Sequence, residues 1–383
     1  MLSPKDFCDV LQSFGLTQYY GVPDSLLKNL CTYIDATFSK EAHLIAANEG
    51  NAVGLATGHY LGSNSPAVVY MQNSGLGNVV NPLTSLADTA VYSIPMLLVI
   101  GWRGEPGVTD EPQHVKQGQV TEQQLDVLDI PYVVIDGHSN LRHSLPGLLA
   151  QMAQQLRPVA ILVRKNTFDS LKDPVSSHSI VPSKNYPMNR EQALQVLLPL
   201  ISADALIVCT TGKTSREVFE IRKARNESNT DFLTVGGMGH TSSIAMGVAK
   251  VNPDRLVVAL DGDGSMLMHM GALAIAGTSG LTNFLHIVLN NECHDSVGGQ
   301  PTAGGMIDIE KIALGSGYSK YFVCSDEHTL REQWQEISNG NHNLSSPIML
   351  EVKIRKGARS DLGRPTSTSA ENKQAFMRHA LRD

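Results

Sequence analysis

The apolar positions of this chain fall into short runs rather than long stripes. They lie at 18–22, 43–47, 67–71, 96–100, 132–135 and 159–163, and stretches with helical periodicity separate most of them. Runs of this length bounded by polar turns suit strands buried on both faces. Alternating with helices, they predict a parallel α/β sheet. Ser3, Pro4 and Asp6 supply an N-cap, a first-turn proline and an early acid, which predicts a first helix ending near Gly15. Between 166 and 189, three prolines and many Ser and Asn leave no regular period, so this stretch reads as a linker. A second alternation follows, with a helix over 190–201, strands over 205–209, 256–260 and 284–289, and a late strand over 348–354. The expected organisation is an α/β domain over 1–165, a linker over 166–189 and a second α/β domain over 190–383. Each is a mostly parallel sheet flanked by helices, with architecture repeated and no sequence repeat.

At 383 residues the chain is long enough for two such cores. A net charge of −7 argues against a nucleic-acid surface, and no apolar run is long enough to span a bilayer. The first residues lack the basic and apolar segments of a secretory signal. Cys8, Cys31, Cys209, Cys293 and Cys324 are odd in number and form no CxxC pair, as expected of reduced thiols in a cytoplasmic protein.

Candidate chemistry sits at two strand ends. The run at 256–260 passes straight into Asp261-Gly262-Asp263-Gly264-Ser265, and the run at 284–289 ends on Asn290-Asn291. The 25 residues between Gly264 and Asn290 suffice for one helix and one strand returning parallel to the first. Both segments would then emerge at the same carboxyl edge. Carboxylate and amide oxygens suit a hard cation such as Mg²⁺, which completes its shell with phosphate and water. Gly264 permits close backbone approach to a bulky anion, and a helix opening at Ser265 would offer it unpaired N–H groups. Either half alone is ordinary turn composition. Together, at β-α-β spacing, they read as a metal and diphosphate site.

That spacing resembles the cofactor motif of the thiamine diphosphate enzymes. The resemblance implies Asp263, Asn291 and the Cys293 carbonyl as Mg²⁺ ligands, with Asn290 as the alternative to Asn291. It also implies Gly264, Ser265 and Ser296 as diphosphate contacts. Asn48-Glu49-Gly50-Asn51-Ala52 resembles the segment whose glutamate hydrogen-bonds the cofactor's aminopyrimidine, so Glu49 is the expected activating acid. By residue type alone, an acid in a first helical turn also simply complements the helix dipole. The segment 234–240 is similar to the one that bends the cofactor, implying Met238 beneath it and Gly236 facing the aminopyrimidine. Gly212 and Thr214 are implied at the diphosphate end. The run 210–214 is not a P-loop, because Ile207 stands where that motif needs glycine.

The runs 72–78, 102–106, 110–118 and 291–302 resemble the phosphonopyruvate decarboxylase family, with the sulfopyruvate decarboxylases as neighbours. The resemblance implies a thiamine diphosphate- and Mg²⁺-dependent carboxy-lyase. Its substrate is a small 2-oxo acid with a second acidic group, here phosphonopyruvate, in phosphonate synthesis. Ser74, Arg103, Gln113, His114 and Lys116 become the expected substrate contacts, with Arg103, His114 and Lys116 on one loop region as anion donors. His114 and His294 are the candidate proton donors. Family members place the cofactor between domains of different subunits, so at least a homodimer is implied. A thiamine-dependent carboligase and a non-catalytic cofactor-binding subunit are the alternatives from other classes. Both Glu49 and the full metal motif speak against the latter.

Overall fold

The structure is a computed structural model that describes residues 1–170, 185–339 and 347–382. The chain divides into two compact units, Met1–Ile180 and Val181–Asp383. Of the linker expected over 166–189, residues 171–184 lie outside the described residues.

In the first unit the strands are β1 (Tyr19–Gly21), β2 (His43–Ile45), β3 (Ala67–Gln72), β4 (Met96–Gly101), β5 (Tyr132–Ile135) and β6 (Val159–Val163). They form one parallel sheet in the order β2-β1-β3-β4-β6-β5. Helices α1 (Pro4–Ser13), α2 (Lys28–Thr37), α3 (Glu49–Ser63), α4 (Leu76–Pro82), α5 (Pro112–Val127) and α6 (Leu141–Gln155) cover it. The unbroken apolar runs have a direct cause. Val68, Tyr70, Leu97, Val99 and Ile161 face one hydrophobic cluster, while Val69, Met71, Leu98, Ile100 and Leu162 face another. Alternate residues on a strand point to opposite faces, so a sheet covered on both sides needs every position apolar. Ser3 caps α1 as expected, and the helix stops at Ser13 with Gly15 just beyond at φ 81°.

The second unit begins with α7 (Arg190–Leu197). It continues through β7 (Leu206–Cys209), α8 (Lys213–Ala224), β8 (Phe232–Leu233), α9 (Thr241–Val251), β9 (Val257–Gly262), α10 (Asp263–Met268), α11 (Gly271–Gly277) and β10 (Phe284–Asn290). After it come β11 (Cys293–His294), β12 (Gln300–Pro301), α12 (Ile309–Gly315), β13 (Lys320–Cys324), α13 (Glu327–Asn339), β14 (Ile348–Lys353) and α14 (Ser369–Leu381). A second parallel sheet has the order β13-β14-β10-β9-β7-β8, and β11 and β12 form a separate antiparallel ribbon. Because every strand of each large sheet runs the same way, the loops after successive strands gather at one carboxyl edge.

Two expectations are revised here. The helix after β9 opens at Asp263 rather than Ser265, because β9 stays paired with β10 through Gly262. The stretch expected to hold one helix holds two. His269 leaves helical geometry at φ −130°, ψ 52°, with its ring packed against the Gly239 backbone, and α11 starts afresh at Gly271. Among the described residues no helix is long and apolar enough to cross a membrane.

Candidate active site

In the first unit the carboxyl edge gathers residues from the ends of β1 to β4. The Asn48 side chain accepts from the Asn51 N–H at 3.0 Å, and that cap makes Glu49 the first residue of α3. Glu49 is only 5% exposed, and its Oε2 accepts from Asn78 Nδ2 of α4 at 2.7 Å. Gly75 packs directly on the Glu49 carboxyl group. Ser74 is exposed and its hydroxyl accepts from Gln72 Nε2 at 2.7 Å.

The expected anion donors are arranged differently from the single loop that the sequence suggested. Pro112 at the first helical position starts α5 early, so Gln113, His114 and Lys116 are helical, and Lys116 is exposed. Arg103 lies just after β4 with its guanidinium already matched. Nε donates to Asp110 Oδ2 at 2.8 Å, Nη2 donates to Asp110 Oδ1, and Nη1 donates to Ser25 Oγ at 2.6 Å. Burial alone would raise the Asp110 carboxyl. Hydrogen bonds from Arg103 and from the Glu111 and Gly104 N–H groups instead hold it well below the usual carboxylate range. Arg103 therefore brings a neutralised pair, not a free cation, to this edge. His114 is 9% exposed, and burial together with the nearby Arg103 charge lowers its imidazole. The Gln113 side-chain oxygen is buried with no hydrogen-bond partner among the described residues.

Sequence reasoning missed Asp24, Ser25, Asn73 and Asp110. Asp24 follows β1 and is 1% exposed, with Oδ2 accepting from the Leu26 and Leu27 N–H groups at 3.0 and 3.1 Å. Burial pushes its carboxyl up to about 6, against the opposing pull of the Leu27 N–H and the Arg103 charge. Asn73 ties the two sides of the edge together, donating to the Arg103 carbonyl at 2.8 Å and to Thr121 Oγ1 at 2.9 Å. The available signal was position: Asp24 follows a strand end just as Glu49 does.

The second unit carries the motif expected to hold a metal. Asp263 is 2% exposed and its Oδ2 accepts from the Thr302 hydroxyl. Its surroundings are neutral donors, and burial pushes its carboxyl up to about 7, opposed by Thr302 and by the N–H groups of Gly264 and Asn291. Asn290 and Asn291 are both buried but are used differently. The Asn290 amide makes three bonds that use both of its protons: Nδ2 donates to Glu351 Oε1 at 2.7 Å and to the Gly304 carbonyl at 3.0 Å, and Oδ1 accepts from the Glu292 N–H at 3.0 Å. Asn291 makes a lighter contact, its Oδ1 accepting from the Cys293 N–H at 3.2 Å. Cys293 pairs across the ribbon with Pro301, which has no N–H to offer the Cys293 carbonyl. His294 follows, with burial lowering its imidazole to about 4.

Around this motif stand the other expected residues. Ser265 Oγ accepts from the Gly239 N–H at 3.1 Å, so that hydroxyl anchors the turn carrying Gly236 and Met238. Gly212 precedes α8 at φ 89°, a backbone shape that side chains disfavour, and a Cβ there would stand 2.8 Å from Ser296 Oγ. Gly212 and Ser296 thus face each other closely, and buried Thr214 lies in the first turn of α8.

Residues 5–128 match the N-terminal TPP binding domain of thiamine pyrophosphate enzymes, and residues 210–352 match the C-terminal TPP binding domain. The chain is 33% identical to a phosphonopyruvate decarboxylase of Streptomyces viridochromogenes, over 98% of this chain and 94% of that one. It is also 33% identical to a phosphonopyruvate decarboxylase of Streptomyces hygroscopicus, over 99% of this chain and 94% of that one. To a sulfopyruvate decarboxylase of Methanosarcina acetivorans it is 26% identical, over 81% of each. The two matched domains therefore make the chain a thiamine diphosphate enzyme. Within that class the near-full-length identity is decisive, and the chain belongs to the phosphonopyruvate decarboxylase family.

The residues present fit the cofactor and its metal. A buried carboxyl among neutral donors is raised toward its protonated form, and a divalent cation beside it would restore the charge. Asp263, Asn291 and the Cys293 carbonyl form an all-oxygen set suited to Mg²⁺. The start of α8 and the hydroxyl of Ser296 suit a phosphate oxygen.

Proposed function

We propose that the chain decarboxylates 3-phosphonopyruvate to phosphonoacetaldehyde and CO₂, with thiamine diphosphate and Mg²⁺, as a step of phosphonate synthesis. The observation that carries this reading is the 33% identity across 98% of the chain, supported by an acid at 49 and by oxygen-bearing groups at 263, 291 and 293. Bound thiamine diphosphate supplies an electron sink for the bond that releases CO₂. The protein's part is placement and proton control.

Glu49, held by Asn78 and walled by Gly75, keeps its carboxyl in one position to share a proton with the cofactor's ring nitrogen. Asp263 and Asn291 hold the metal, while Gly212, Thr214, Gly264, Ser265 and Ser296 frame the diphosphate end. Asn290 is assigned a structural role, because both protons of its amide are spent on Glu351 and the Gly304 carbonyl and its oxygen already accepts from the Glu292 N–H. Ser74, Gln113, His114 and Lys116 serve the substrate, and the Arg103–Asp110 pair shapes the pocket beside them. His114 and His294, both lowered by burial and so neutral near pH 7, are the groups assigned to proton transfer.

The enzyme is proposed to work as a homo-oligomer in the cytoplasm. Leu55 and Leu61 on α3 and Val80 on α4 leave exposed apolar surface that a second copy would cover, and all five cysteines are free and buried. Incubation with cofactor, Mg²⁺ and phosphonopyruvate, sulfopyruvate or pyruvate tests the substrate. Fastest aldehyde formation from phosphonopyruvate is expected, and equal rates on all three would overturn the anion-recognising pocket. The 26% identity to a sulfopyruvate decarboxylase makes that acid the second reading.

A further inference from the structure

We propose that Arg190, the residue that opens α7, is a positioning residue for the diphosphate end of the cofactor and acts through Asp295. The proposal rests on the thiamine diphosphate reading above. Arg190 is 6% exposed, and Asn189 caps its helix in a capping box with Gln192. Two guanidinium nitrogens are spent on Glu217 of α8: Nε on Oε2 at 2.7 Å and Nη2 on Oε1 at 3.0 Å. The third, Nη1, reaches Asp295 Oδ2 at 3.3 Å. From the other side Lys213 Nζ donates to the Asp295 carbonyl at 2.9 Å and lies 3.6 Å from its carboxylate. Two cations therefore converge on the residue immediately before Ser296.

A buried Arg–Glu pair alone would say little, since desolvating two charges cancels most of their attraction and an apolar pair of similar volume packs as well. The third nitrogen and Lys213 are what point to a task. Arg190 and Lys213 against Glu217 and Asp295 sum to no net charge, so the cluster does not draw an anion by its field. It fixes geometry. α8 enters it through Lys213 and Glu217, and the 293–299 turn enters it through Asp295. These same two segments bring Gly212 and Ser296 face to face, with 2.8 Å between a Cβ at 212 and Ser296 Oγ. A planar fork with several fixed donors can hold two acids on different elements at once, which a lysine ammonium does less well.

The test compares binding of thiamine diphosphate and thiamine monophosphate, each with Mg²⁺, by titration calorimetry. The proteins are the unaltered chain, Asp295→Ala, Arg190→Lys and the double variant Arg190→Met/Glu217→Leu. The double variant removes both buried charges together, so it strands neither and retains the fold. Asp295→Ala and the double variant are expected to bind the diphosphate about 10- to 100-fold more weakly, the range seen when an outer partner of a bound group is lost. Their affinity for the monophosphate should change much less, and kcat at saturating cofactor should stay near that of the unaltered enzyme. Arg190→Lys should fall between. Unaltered diphosphate affinity in both, or equal losses for the two ligands, would overturn the proposal. An unaltered chain that binds neither ligand would refute the cofactor reading itself, and the proposal with it.

Discussion

Gly75→Ala is a sharp test of how Glu49 is held. The backbone at Gly75 has φ −70° and ψ −16°, so alanine adopts it without strain, and the change should leave the local turn intact. Its one new atom, however, would lie 2.6 Å from Glu49 Cγ and 2.7 Å from both Cδ and Oε1. Ordinary contacts between such atoms are about 3.5–4.0 Å, so the carboxyl must shift by roughly 1 Å. It has little room to do so, being 5% exposed and held through Oε2 by Asn78 at 2.7 Å. A misplacement of about 1 Å at a group that must meet a reacting partner costs on the order of 100-fold in rate. Thermal stability should change little, because glycine replacement at a compatible φ/ψ gains about 0.4–1 kcal/mol through the unfolded chain and offsets part of the strain. The assay is kcat for aldehyde formation at saturating cofactor, alongside a thermal melt. A Gly75→Ala enzyme with unaltered kcat would refute the placement of Glu49, whatever its melt. Asn78→Ala, which removes the hydrogen bond to Glu49 Oε2, should also lower kcat.

Glu49→Gln keeps the shape but removes the proton-sharing carboxylate. Turnover should fall about 10²- to 10⁴-fold with cofactor affinity largely kept, read by steady-state kinetics and titration. The two asparagines should separate cleanly. Asn290→Ala leaves the buried Glu351 Oε1 without its Asn290 donor and should cost about 1–3 kcal/mol of stability in urea unfolding, whereas Asn291→Ala should weaken Mg²⁺-dependent cofactor binding with little loss of stability. His43, whose Nε2 lies 2.8 Å from the Tyr70 hydroxyl, is lowered by burial to about 4. The folded state refuses a proton that the unfolded state accepts near 6.5, so stability is full above that pH and is lost as pH falls from 6.5 toward 4. The total is on the order of 3 kcal/mol. Urea unfolding of His43→Gln should be flatter across that window, and an identical slope would refute the assignment.

The two-sheet architecture was legible because both sheets are covered on both faces, and that burial writes itself as unbroken apolar runs at 67–71, 96–100, 159–163 and 256–260. The metal motif was legible because its residues follow two such runs, so local order alone brought Asp263 and Asn291 to one edge. The break at His269 was not legible. It depends on Gly239, far away in sequence, packing against that ring. Nor was the fate of Arg103 legible: an arginine after a strand reads the same whether its partner is a substrate or Asp110.

The sequence by itself thus determined which residue types stand at the ends of which strands, because strand order and direction convert spacing into a shared edge. Only the tertiary structure decided how each of those groups is employed. Use of an Asn290 amide proton on Glu351, the Arg103 charge beside the raised Asp24 carboxyl and the convergence of Arg190 and Lys213 on Asp295 all depend on side chains meeting across long chain separations. Hydrogen bonding and burial act over a few ångströms in space, and neither distance is encoded in the spacing of residues along the chain.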